Sequence, residues 1–147
     1  MKLFSSLINT CLFVGLSPLA PGTVGSIFAL FVWWFFQPSF AILIILIIII
    51  SLLSYFTILF ELTNTNKKDP QHIVVDEAIG MWISVLFLSA NDYVYIVFAL
   101  ILFRLFDILK PSIINRVQNI KGPVGILFDD IIAGLMTCMI IAGISTI

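Results

Sequence analysis

Five carboxylates, Asp76-Glu77, Asp107 and Asp129-Asp130, stand beside or within strongly apolar stretches of this 147-residue chain. An ionised carboxylate next to hydrocarbon is costly unless it is paired or bound to a metal. Arg104, Lys110 and Lys121 lie in the same parts of the sequence. Acids that can hold a hard cation, beside bases that can hold a phosphate, are the ingredients of metal-assisted phosphoryl transfer.

Each acidic motif also has a plainer explanation. In Asp76-Glu77-Ala78-Ile79-Gly80-Met81-Trp82 the upstream Pro70 predicts a helix start within 73–76. Both acids then fall in the first turn, where the macrodipole favours them and a simple cap would suffice. Glu77, Gly80 and Ser84 share one face, and Gly80 admits a close neighbour or ligand. Arg104 and Asp107 are spaced i, i+3, so an intrahelical ion pair is the ordinary reading. Lys110 closes that last turn and Pro111 ends the helix. The ion pair alone leaves unexplained why both charges sit inside an apolar segment, where such residues usually line a polar site. In Gly122-Pro123-Val124-Gly125 the chain turns and runs into Asp129-Asp130, with Gly134 one turn on. Adjacent carboxylates repel, and a counter-cation answers that repulsion. Finally, Pro21-Gly22-Thr23-Val24-Gly25-Ser26 predicts a turn into a helix whose free N–H groups could hold an anion, which marks Thr23 and Ser26 as candidate substrate contacts. No Gly-Lys-Ser/Thr follows, so it is not a Walker loop.

Other phosphatase chemistries lack their residues. His72 is the only histidine, so a phosphohistidine mechanism that needs a second one as acid is excluded. No Arg follows Cys11 or Cys138 at the spacing of the cysteine phosphatase loop, and both read as buried thiols. The aspartyl-phosphate loop is also missing.

The elements that must position these residues belong to a membrane protein. The chain is 61% hydrophobic and 10% charged, with a mean hydropathy of +1.20, whereas soluble domains average about 45–50% apolar and about 25% charged. The apolar runs are 24–36, 39–60, 78–90, 92–109 and 128–147. Gln37-Pro38 predicts a helical hairpin, and Asn91-Asp92 another. The polar stretch 63–71 (TNTNKKDPQ) is a loop. The N-terminal segment has a signal-like run, but Asn9-Thr10 interrupts it and Pro18 and Pro21 follow, which predicts a retained interfacial helix. Loops on alternate sides place Lys2, Lys67, Lys68, Lys110, Arg116 and Lys121 on one face, with Arg104 less than two turns inside it. The positive-inside rule makes that face cytoplasmic. The acidic motifs share it, and Asp92 is the one charge opposite. The expected fold is therefore all-α, an integral membrane bundle of four or five apolar helices with an N-terminal interfacial helix, forming one membrane-embedded domain over 1–147. No basic stripe suggests nucleic acid.

The four motifs, in this order from Gly15 to Gly134, resemble the phosphatidylglycerophosphatase A family. The likeness includes Asp69-Pro70, Val75-Asp76-Glu77, Gly80-Met81-Trp82, Phe103-Arg104, Asp107, Lys110-Pro111, Asp129-Asp130 and Ala133-Gly134. It departs at Gly122-Pro123, where the family usually has Gly-Gly, and at Leu127, often Met. The resemblance implies Mg²⁺-dependent hydrolysis of phosphatidylglycerol phosphate at the bacterial inner membrane, with the site facing the cytoplasm. It also implies metal ligation by Glu77, Asp107, Asp129 and Asp130, with Asp76 behind them or as a further ligand. The expected catalytic residues are Asp76, Glu77, Arg104, Asp107 and Lys110, and the expected substrate contacts are Thr23, Ser26, Arg104, Lys110 and Lys121. The partner is a membrane phospholipid, and a homo-oligomer stays open. Rival readings are a non-catalytic assembly subunit, a small cation carrier, and a phosphatase for another phospholipid monoester.

Overall fold

A computed structural model describes residues 2–64, 72–111, 114, 117, 120 and 122–145. Six α-helices and a short 3₁₀ turn, Val14–Leu16, account for most of them, and there is no strand among the described residues. The helices are α1 Lys2–Asn9, α2 Pro21–Phe36, α3 Phe40–Asn64, α4 Val75–Ser84, α5 Tyr93–Leu109 and α6 Pro123–Ser145. Lys67, Lys68, Asp69, Pro70, Arg116 and Lys121 lie outside the described residues.

Helices α3 and α6 are each long and apolar enough to cross a membrane. At 1.5 Å per residue they span about 37 and about 35 Å, against a hydrocarbon core of about 30 Å. Helix α2 is apolar but shorter. Gln37 adopts a left-handed conformation and donates its N–H to the Trp33 carbonyl, closing α2 before α3 begins at Phe40, so the α2–α3 hairpin forms as its Pro38 predicts. The run 78–90 behaves differently from expectation. Helix α4 stops at Ser84 and the chain turns through 85–87, so this element is only about 15 Å long and cannot cross a bilayer. The last helix also differs: it begins at Pro123, five residues before the apolar run at 128. Proline is well placed there, because the first N–H of a helix has no intrahelical partner to lose.

Several polar side chains are buried and many large apolar ones are exposed, unlike the pattern of a water-soluble bundle. Ser5, Asn9, Ser26, Ser54, Thr57, Ser84 and Thr137 are buried, while Ile42, Ile45, Ile48, Leu52 and Phe56 of α3 and Val94, Val97, Ile101 and Ile108 of α5 are exposed. Such a surface is unfavourable in water in proportion to its apolar area.

Helix α4 is the centre of the packing. Eight of its ten residues are buried, against α6 and α2 above all. The α4–α6 crossing is a backbone contact. A Cβ on Gly134 would lie 2.4 Å from the Gly80 carbonyl oxygen, and one on Gly80 would lie 2.6 Å from that of Asp130. Phe103 of α5 closes the crossing from the side. Gly134→Ala should therefore force the helices apart and lower stability by about 1–3 kcal/mol. Gly143→Ala, in the same helix with open space around it, should gain about 0.5–1 kcal/mol. Thermal melts of the two variants in detergent check this, and equal shifts would contradict the crossing.

Candidate active site

Three helix ends meet at one end of the molecule. Helix α4 begins at Val75 and carries Asp76 and Glu77 in its first turn. No side chain caps it; instead the Val74 N–H donates to the Asn9 carbonyl at 2.8 Å. Helix α5 contributes its last turn, where Arg104 Nη1 meets Asp107 Oδ2 at 2.7 Å. Lys110 follows in a left-handed conformation that ends α5, and its Nζ donates to Asp129 Oδ2 at 2.8 Å. Because α6 starts at Pro123, Asp129 and Asp130 fall past its first turn and are buried, 6% and 3% exposed. They are not frayed terminal acids.

Asp76, Glu77 and Asp130 each bring a carboxylate oxygen within 4.8 Å of the other two. Asp76 Oδ1, Glu77 Oε2 and Asp130 Oδ1 are buried without a hydrogen-bond partner. Each such atom costs about 1–3 kcal/mol or more as a charged group. Three converging carboxylates, each with an orphaned oxygen, fit a divalent cation such as Mg²⁺, which takes carboxylate oxygens and keeps several waters. Burial pushes the Asp76 carboxyl well above its usual range, and the adjacent Glu77 charge adds to this. Burial also raises Glu77. For Lys110 burial works downward, but the hydrogen bond and charge of Asp129 outweigh it and raise the ammonium group.

The first turn of α2 completes the surroundings. A Cβ on Gly22 would lie 2.2 Å from Glu77 Oε1 and 3.2 Å from Arg104 Nη1, so only glycine lets this helix start approach the acids. Cys11 is nearby, but burial and then the Glu77 charge push its thiol up to about 12. It stays protonated at neutral pH and is no nucleophile.

A family model for phosphatidylglycerophosphatase A matches residues 7–145. The chain belongs to the phosphatidylglycerophosphatase A family. It is 35% identical over 135 residues to phosphatidylglycerophosphatase A of Escherichia coli, covering 86% of this chain and 75% of that one. It is 38% identical over 143 residues to a Bacteroides thetaiotaomicron protein provisionally named a phosphatidylinositol-3-phosphatase, covering 92% of this chain and 90% of that one. No solved structure matches the chain significantly. Membership makes this chain a phosphatase.

Of the residues expected at a phosphatidylglycerophosphatase A site, Glu77 and Asp130 converge, and Asp76 joins them as a full member of the cluster. Asp107 and Asp129 stand alongside, engaged by Arg104 and Lys110. Thr23 lies half-buried beside Gly22 in the first turn of α2. The Ser26 hydroxyl donates to the Gly22 carbonyl at 2.8 Å, so it serves its own helix. Lys121 is outside the described residues. The closeness of Gly22 to Glu77 was not visible in the sequence, although Pro21-Gly22 marked the turn.

The raised Asp76 and Glu77 mean that the folded protein binds these protons more tightly than the unfolded chain. In chelator, their contribution to stability should be fully present below about pH 4, where unfolded carboxylates protonate too. It should be lost as pH rises through the higher folded values. Thermal melts in metal-free buffer measure this, and a contribution that grows with pH would contradict the burial of the pair.

Proposed function

We propose that this protein is a Mg²⁺-dependent lipid phosphomonoesterase that hydrolyses phosphatidylglycerol phosphate to phosphatidylglycerol and phosphate. The carrying observation is the trio of orphaned carboxylate oxygens from Asp76, Glu77 and Asp130, flanked by Arg104 and Lys110 in a member of this family. Glu77 and Asp130 with Asp76 would hold the metal, and Asp107 and Asp129 complete the acidic set while anchoring the two bases. Bound Mg²⁺ supplies charge stabilisation at the phosphoryl oxygens and a more acidic water.

The chain's own groups do the rest. Arg104 and Lys110 place positive charge where phosphoryl negative charge grows. The N–H groups of the α2 start, opened by Gly22, face an anion with the positive end of the helix dipole. A carboxylate of the acidic set accepts a proton from the attacking water. Water's oxygen then bonds to phosphorus as the bond to the glycerol oxygen breaks, and that oxygen takes the proton back from the carboxylic acid and leaves as the alcohol.

The same reading makes the chain one membrane-embedded domain in the bacterial inner membrane, α1 lying at the interface and the site facing the cytoplasm. Support comes from α3 and α6, from the exposed apolar belt, and from Lys110 and Arg104 lying at the acidic end. A second substrate, another lipid phosphomonoester, is favoured by the likeness to the Bacteroides protein.

Phosphate release from phosphatidylglycerol phosphate and from phosphatidylinositol 3-phosphate, with and without Mg²⁺, tests the proposal. Glu77→Gln and Asp130→Asn should each lower kcat by about 100-fold or more. Asp92→Asn, at the opposite end where Asp92 accepts the Ser89 N–H at 2.8 Å, should stay within about twofold of the unmodified protein. Undiminished turnover in both site variants would refute the assigned roles.

A further inference from the structure

Helix α1 turns its polar side inward. Its buried residues are Ser5 and Asn9, while Leu3 and Phe4 are exposed. The Ser5 hydroxyl donates to the Thr57 carbonyl of α3 at 3.0 Å. The Asn9 amide donates to Glu61 Oε2 at 2.6 Å, and its oxygen accepts the Thr57 hydroxyl at 2.6 Å. The other Glu61 oxygen is paired with His72 Nε2. A fully buried asparagine thus links α1, α3 and the segment that leads into α4.

The same asparagine reaches the acidic pair through its backbone. Its carbonyl accepts the Val74 N–H, immediately before the helix whose first turn bears Asp76 and Glu77. On its other side the segment is wedged. A Cβ on Gly15 would lie 2.3 Å from the His72 carbonyl oxygen, and one on Gly25 would lie 2.9 Å from Val74 Cβ. Helix α4 has no side-chain cap to fix its start, and its two first-turn carboxylates repel each other and Asp130. Something else must set the position of that turn.

We propose that Asn9, Glu61 and His72 are positioning residues that hold Asp76 and Glu77 in ligating geometry; this rests on the reading of those acids as metal ligands. The ordinary alternative is that the network only glues α1 to α3, as interhelical polar contacts do in membranes. Glue would change melting temperature alone, whereas positioning changes metal affinity and turnover.

Mn²⁺ titration of the purified full chain, followed by loss of the free-ion electron paramagnetic resonance signal, separates the two. Glu61→Ala and Asn9→Leu should each weaken Mn²⁺ binding by about 10-fold or more and lower kcat comparably, with little change in KM for the lipid. Glu61→Gln keeps an acceptor for Asn9 and offers its amide N–H to the neutral His72 ring in place of the carboxylate, so it should restore most of both. His72→Ala removes the partly exposed end of the network and spares the α1–α3 contacts, so it carries the test if Glu61→Ala does not fold; it should weaken Mn²⁺ binding in the same direction. Unchanged Mn²⁺ affinity in the folded variants, or a rise in KM that matches the fall in kcat, would overturn the positioning role. An unmodified chain that binds no Mn²⁺ would instead remove the metal reading, and the positioning role with it.

Discussion

The desolvation and mutual repulsion of Asp76, Glu77 and Asp130 constrain everything around them. Two come from the start of α4 and one from α6, so holding them together means holding two helices at backbone contact. Any side chain at Gly80 or Gly134 would widen that crossing. Residues at i, i+3 and i, i+4 relate each glycine to its acid, Gly80 to Glu77 and Gly134 to Asp130, so the crossing point lies one turn from the oxygens it brings together. Repulsion among the acids acts to open the crossing, and packing of Phe103, Met81 and Ala133 in the core opposes it. A cation between the oxygens would turn the same repulsion into attraction, which couples metal binding to the closure of the helix pair.

Around that centre the two flanking acids are each paired with a base. Asp107 faces Arg104 on its own helix, and Asp129 faces Lys110 across the α5–α6 gap. These pairs keep cationic groups beside an anionic cluster without neutralising the three orphaned oxygens. A carrier with an ion path would need acids through the depth of the membrane. Among the described residues the acids gather at one end, apart from Asp92, which ties a turn at the other.

The local parts of this arrangement were legible in the sequence. Pro70 and the acid pair located the start of α4, the i, i+3 spacing located the Arg104–Asp107 pair, and Gln37-Pro38 located the hairpin, because each depends on residues within a turn or two. The family likeness was legible for the same reason, as ordered short motifs. What was not legible depends on tertiary contact. Helix α4 ends at Ser84 although the apolar run continues, since hydrophobicity does not distinguish a buried helix from a buried turn. The preference of Lys110 for Asp129 over its own helix end, and the place of Asp76 within the cluster, follow from how α5 and α6 approach α4. Asn9 looked like an interruption of an apolar run, and only its long-range partners, Glu61 among them, give it a role.

The short α4 has a consequence for how such a protein can diversify. Its first turn and the glycine crossing form a fixed anvil that cannot be reshaped without separating the acids. The start of α2, by contrast, touches the acids through a single glycine. Changes at that helix start would leave the acidic crossing as it is, so the two can vary separately.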